Sequence, residues 1–184
     1  MVFVDLADST AAYAALGNAP VAEVVSKVTQ WIGRVCDAHQ GRIVKYLGDG
    51  VLAQFADAQQ AIEAVVFMQQ SHTERLRKWP EPLHMGLKIG MACGPVVHKD
   101  GDTYGDPVNL AARLSDLAGA HTIWADDTVL THLRQTHPRN SPVLDKVRYR
   151  SLGLIRVRGL AQPQSVVQIE WNEELSSDLM TVRG

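Results

Sequence analysis

Two aspartates stand where carboxylates can do chemistry. Asp5 ends the apolar run VFVD, and Asp49 sits at the tip of Gly48-Asp49-Gly50, between the apolar runs RIVKYL and VLAQFA. If those runs are neighbouring strands of one sheet, the two carboxylates meet. Anions so close repel, and one takes up a proton unless a cation lies between them. Mg²⁺ suits such a place, because it accepts one or two carboxylates and completes its octahedron with water and substrate phosphates. The plainer alternative makes Asp5 a cap for the following helix and Asp49 a turn residue. Spacing alone does not choose between them. Asn109 and Arg113 are four residues apart, so on a helix they share one face and can point into a single cleft.

The elements that must position these groups follow from periodicity. VFVD reads as a strand, DST as helix-capping chemistry and AAYAAL as a short helix. From Pro20 to Gln40 the apolar residues Val21, Val24, Val25, Val28, Trp31, Ile32 and Val35 recur at three and four, which is one face of an amphipathic helix ended by Gly41. RIVKYL and VLAQFA form a hairpin through Gly-Asp-Gly, where glycine supplies the positive φ of a tight turn. Ala58 to Trp79 is a second long helix, closed by Pro80 and Pro82. LHMGLKIGMACG and PVVHK read as a strand pair, residues 101 to 106 as a loop, and Asp106 to Leu117 as a third helix. TIWA, a helix from Asp127 to Gln135, and strands at Val147 to Arg150 and Val166 to Glu170 complete the chain. The order predicts an α+β fold: a ferredoxin-like split βαβ sheet with helices packed on one face and C-terminal additions.

A chain of 184 residues with 46% apolar and 21% charged side chains holds one full core, which excludes a disordered tail or a disulfide scaffold. The net charge of -2 supplies no field for a nucleic-acid backbone or an anionic membrane, so no nucleic-acid partner is expected. Cys36 and Cys93 lie in apolar stretches without C-x-x-C spacing and read as reduced core thiols. No apolar run reaches the roughly 18 residues of a membrane span, and Met1 is followed at once by VFVDL rather than a signal sequence. A cytoplasmic protein is expected. The chain starts inside a strand, which leaves room for a preceding domain. The seven histidines (39, 72, 84, 98, 121, 132, 137) show no zinc-binding spacing, RLRK at 75 to 78 is a solvated helix end, and Gly48-Asp49-Gly50 lacks the spacing of a P-loop.

FVDLADST (3 to 10), KYLGDGVLAQF (45 to 55) and GDTYGDPVNLAARL (101 to 114), in that order, resemble the catalytic domain of class III adenylate and guanylate cyclases. The similarity covers about residues 1 to 171 and is closest to bacterial-type adenylate cyclases. It implies a catalytic domain over 1–171, with NEELSSDLMTVRG (172–184) as a polar tail or linker. It further implies that Asp5 and Asp49 bind two Mg²⁺ or Mn²⁺ ions per active site, that Lys45 and Asp102 read the base, and that Asn109 orients the ribose. Arg113 would meet the charge of the five-coordinate phosphorus, Arg158 would take the terminal phosphates, and Ser9 and Thr10 would offer hydroxyls to phosphate. In the family the metal aspartates come from one subunit and the remaining groups from the other, so a homodimer with interfacial sites is implied, and a regulatory or sensor domain is often fused.

Chemistry points the same way for the base. Adenine offers a donor at N6 and an acceptor at N1, which suits a carboxylate with an ammonium, whereas guanine reverses the order and leaves both unpaired. ATP is therefore the expected substrate and cyclic AMP with pyrophosphate the expected products. The alternatives are a catalytically silent nucleotide-binding or dimerisation module, and a guanylate cyclase, which Lys45 and Asp102 oppose. One departure stands out: Asp8 occupies a position where the family usually has glycine, and its carboxylate would repel a triphosphate unless turned away or used as a cap.

Overall fold

A computed structural model describes residues 1–136 and 145–171 of the chain; the segment 172–184 and His137 lie outside the described residues. In chain order the elements are β1 (Val2–Leu6), α1 (Ser9–Leu16), α2 (Asn18–Ala38), β2 (Arg42–Leu47), β3 (Gly50–Gln54), α3 (Ala58–Leu76) and β4 (Leu87–Met91). Then come β5 (Val97–Lys99), β6 (Asp102–Tyr104), α4 (Asp106–Leu117), β7 (Thr122–Asp126), α5 (Asp127–Thr136), β8 (Val147–Ile155) and β9 (Gln164–Trp171). Seven strands form one sheet in the order β2-β3-β1-β4-β7-β9-β8. Its first four strands, crossed over by the α1–α2 pair and by α3, are the expected ferredoxin-like split βαβ unit. β7, β8 and β9 extend it. The α+β class holds, and β4 with β7 is a parallel pair in an otherwise antiparallel sheet.

Alternation along the strands builds the main core. Val2, Val4 and Leu6 of β1 and Leu87, Ile89 and Met91 of β4 face the same side, where Val21, Val25, Val28 and Ile32 of α2 and Ile62 and Val65 of α3 cover them. Each such side chain buried from water contributes about 1.5–3 kcal/mol before entropy is counted. Pro20 falls in the first turn of α2, where its missing N–H goes unneeded. The helix ends at Ala38, two residues short of the expected Gln40, which takes the left-handed turn at φ 59, and Gly41 N–H donates to Cys36 O at 2.8 Å. Both cysteines are free, and burial pushes the Cys36 thiol up to about 12, so it is inert packing. Among the described residues no helix is long and apolar enough to cross a membrane.

Two expectations are corrected. LHMGLKIGMACG and PVVHK do not pair with each other. β4 is enclosed between β1 and β7, so its hydrogen-bonding edges are taken, and β5 pairs instead with β6 in a separate two-stranded ribbon. The residues expected as a loop at 101 to 106 therefore supply its second strand, through the turn Asp100-Gly101 at φ 52 and 77. Helices do not all share one face, either. α4 lies across the opposite side of the sheet, where its Leu110, Ala111 and Leu114 cluster with Ala92, Val157 and Val166. Gly90 makes this approach feasible, since a Cβ there would stand 2.0 Å from Ala111 O and 2.4 Å from Ser115 N.

Candidate active site

Asp5 projects from β1 on the face away from Val4 and Leu6 and pairs in register with Lys88 of β4. Lys88 Nζ lies 3.2 Å from Asp5 Oδ2, both side chains 21% exposed. The last β1–β3 pair is Val4 with Val51, which places Asp5 and Asp49 just beyond it, at the same end of the sheet. Gly48 at φ 67 makes the hairpin turn that carries Asp49. Burial pushes the Asp5 carboxyl above the usual carboxylate range, the neighbouring Asp49 charge adds to that, and the bond to Lys88 opposes it. The Asp5 carboxyl thus senses the negative charge of Asp49. Among the described residues no three or more His, Cys, Asp or Glu side chains gather into a metal site. Asp5 and Asp49 could together offer a cation two carboxylates, a set that Mg²⁺ or Mn²⁺ can complete with water and phosphate oxygens.

The turn from β1 into α1 corrects the expected cap. Asp8 occupies the N-cap position of α1, yet its side chain makes no cap hydrogen bond and its backbone is left-handed, φ 61 and ψ 15. That is why glycine is favoured there; aspartate tolerates it better than most residues. Its exposed carboxylate is not used as a cap. Ser9 Oγ donates to Asp49 Oδ2 at 2.5 Å, fastening the hairpin tip to the helix start. Ser9, Thr10 and Asp49 line one cleft against α2.

Lys45 and Asp102, far apart in sequence, are in direct contact: Lys45 Nζ donates to Asp102 Oδ1 at 2.9 Å and Oδ2 at 2.7 Å. A bulge in β2 between Ile43 and Lys45 precedes the lysine. The Lys45 ammonium, and then the Thr103 N–H at 2.7 Å, hold the Asp102 carboxyl below its ordinary range. About a third of each side chain remains open to solvent, 36% and 28%, so a base can still reach both.

Asn109 and Arg113 are both exposed on α4. Arg113 Nη1 lies 3.6 Å from Asp116 Oδ2, the bond of a solvated surface arginine. Arg158 is exposed beyond β8. Among the described residues no hydrogen bond or ion pair joins Asp5, Asp49 and Ser9 to Lys45, Asp102, Asn109, Arg113 or Arg158 in the chain. Sequence reasoning missed Lys88, whose signal was its polar place in the alternating LKIGM, and it missed His98, which the Asp100-Gly101 turn between HK and DT would have located on a hairpin.

Residues 1–168 match the family described as the adenylate and guanylate cyclase catalytic domain. The chain belongs to that family. A putative adenylate cyclase 3 of Rhizobium meliloti is 41% identical over 80 residues, 44% of this chain and 14% of that protein. An adenylate cyclase of Streptomyces coelicolor is 31% identical over 142 residues, 76% of this chain and 35% of that protein. The chain thus spans about a third or less of the length of these curated relatives. The solved adenylate/guanylate cyclase/hydrolase from Silicibacter pomeroyi superposes with a TM-score of 0.74 at 30% identity, covering 92% of this chain and 94% of that one. The adenylyl cyclase CyaB from P. aeruginosa shares the fold, with a TM-score of 0.71 at 20% identity over 93% of this cyclase domain and 92% of that chain.

Proposed function

We propose that this cyclase domain, over residues 1–171, is an adenylate cyclase that converts ATP to 3′,5′-cyclic AMP and pyrophosphate. The observation that carries the choice of ATP is the Lys45–Asp102 pair, an ammonium and a carboxylate side by side and partly open. Adenine satisfies both, whereas guanine presents its donor and acceptor to the two groups in the reverse order. Asp5 and Asp49 would hold Mg²⁺ or Mn²⁺, two ions per site, which when bound supply neutralising charge to the triphosphate and acidify the ribose 3′-hydroxyl.

The chain's own residues do the rest in this reading. Asn109 orients the ribose so that O3′ faces the α-phosphorus, and Arg113 leaves Asp116 to meet the charge that builds on the phosphoryl oxygens. Ser9 and Thr10 donate to phosphate oxygens, and Arg158 takes the terminal phosphates. A two-fold homodimer, the assembly that the family resemblance implies, completes this reading: each chain gives its aspartates to one site and its remaining groups to the other. A fused regulatory or sensor domain is part of the proposal for the intact protein.

A catalytically silent nucleotide-binding module is the second reading, and the exposed Asp8 carboxylate at the start of α1 favours it. Incubating the purified chain with ATP or with GTP and Mn²⁺, then resolving cyclic products, decides. Cyclic AMP from ATP alone is the expected result. Cyclic GMP from GTP in equal yield would overturn the base-reading assignment, and nucleotide binding without any cyclic product would establish the silent module.

A further inference from the structure

Asp102 stands on β6, and β5–β6 is a ribbon of three residue pairs outside the seven-stranded sheet. An isolated ribbon of that size is marginal in water, so its place is set by what ties it to the body. One tie is Lys45 to Asp102. In the proposed function those are the groups an adenine engages, so this tie loosens when substrate enters.

A second tie lies three residues earlier on β2. Arg42 Nη2 donates to Gln54 Oε1 at 2.5 Å and to His98 Nδ1 at 3.1 Å. Guanidinium nitrogens only donate, so Nδ1 is the acceptor and the imidazole carries its proton on Nε2. The same Nδ1 lies 3.1 Å from Thr103 Oγ1, and Thr103 is 2% exposed, with its N–H on Asp102 Oδ1. Gln54 and Arg42 are register partners in β2–β3, so the guanidinium is aimed from the main sheet. His98 pairs with Thr103, and Asp102 with Lys99, which puts this tie on the ribbon face opposite Asp102.

We propose that Arg42 and His98 are positioning residues: they dock the β5–β6 ribbon on β2 and keep Asp102 beside Lys45 while a base occupies the pair, and so set the preference for ATP over GTP. The inference rests on the base-reading role proposed for Lys45 and Asp102. Neither residue touches the base. Their bond to each other is one the substrate does not consume.

The test compares wild type with His98→Leu, His98→Asn and Asp102→Asn in the full chain. Two readouts are taken: hydrogen exchange of the amides at 97–104, and competition of ATP and of GTP against a fluorescent, non-cyclisable ATP analogue. His98→Leu should speed exchange in the ribbon and weaken ATP about three- to fivefold while leaving GTP nearly unchanged, the size expected when an exposed charge-assisted bond that holds the ribbon is lost. His98→Asn retains an acceptor near the Nδ1 position and should stay within about twofold of wild type in both readouts. Unchanged exchange in His98→Leu overturns the inference, as does faster exchange with an unaltered ATP-to-GTP ratio. If Asp102→Asn also leaves that ratio alone, the base-reading role itself fails; if only His98→Leu leaves it alone, the positioning role fails and base reading stands.

Discussion

The two halves of the candidate site are built in opposite ways. Asp5 stands on the interior strand β1 between Val4 and Leu6, which are 0% and 3% exposed, so the main core sets its backbone. Asp102 stands on a three-pair ribbon, and Asn109 and Arg113 lie on an open helix face. Around this second half Tyr46, Leu47, Val97, Tyr104 and Leu117 are from 47% to 65% exposed, too many large apolar side chains to be scattered singly. The contrast teaches that hydrophobic burial has preformed the acidic half, while the half proposed to read the base relies on polar ties and leaves apolar side chains in solvent.

The largest effect breaks or confirms that division. Asp49→Ala and Arg113→Ala should each lower cyclic AMP formation by about 10³-fold or more and 10²–10³-fold respectively, measured by product chromatography. Mixed in equal amounts, the two inactive chains should recover about a quarter of wild-type activity, since half the dimers are mixed and each carries one intact site of two. No recovery in a mixture shown to exchange subunits would mean that both sets act within one chain.

Gly90→Ala strikes the open half through its support. A methyl group 2.0 Å from Ala111 O must displace α4, with a loss of about 3 kcal/mol and roughly 10 °C in Tm by calorimetry. An unchanged Tm would show that α4 can slide freely.

A smaller effect lies behind the preformed half. His72 is 1% exposed and bonds Met85 O through Nε2 at 2.8 Å, which leaves Nδ1 without a hydrogen-bond partner. Trp31 stacks on its ring, and Arg75 lies over Trp31. Burial lowers its pKa below the usual value of 6.5, with the Met85 bond opposing. The unfolded chain then binds a proton more readily than the folded one. Stability should fall as the pH drops below about 6.5, by at most about 1.4 kcal/mol per pH unit, and level off below the lowered folded value. His72→Gln keeps a donor for Met85 O and should flatten this part of the slope in thermal melts between pH 7 and 5.

The smallest effect sharpens the contrast at the entrance to α1. Asp8→Gly relieves a left-handed aspartate at φ 61 and should raise stability by about 0.5–1 kcal/mol, part of the gain being offset by glycine's greater freedom when unfolded. It also removes a negative charge beside the expected phosphates, so cyclase activity should rise severalfold. A drop in activity would count against any inhibitory role for that carboxylate.

What the chain's local patterns determined were most of the elements: the three- and four-residue spacing of α2, the Gly-Asp-Gly hairpin with Asp49 at its tip, and Asn109 and Arg113 on one side of α4. The motifs at 3 to 10, 45 to 55 and 101 to 114 went further and named the family. Periodicity records whether a position faces water or core, and it records that locally. Partner choice is not local. Only the assembled sheet decided that β5 bonds to β6 rather than to an already enclosed β4, that Gly90 draws α4 onto the far face, that Lys88 meets Asp5, and that Arg42 reaches His98. Each of those joins residues distant in the chain through edges and faces that exist only after folding, so no pattern along the sequence encodes them.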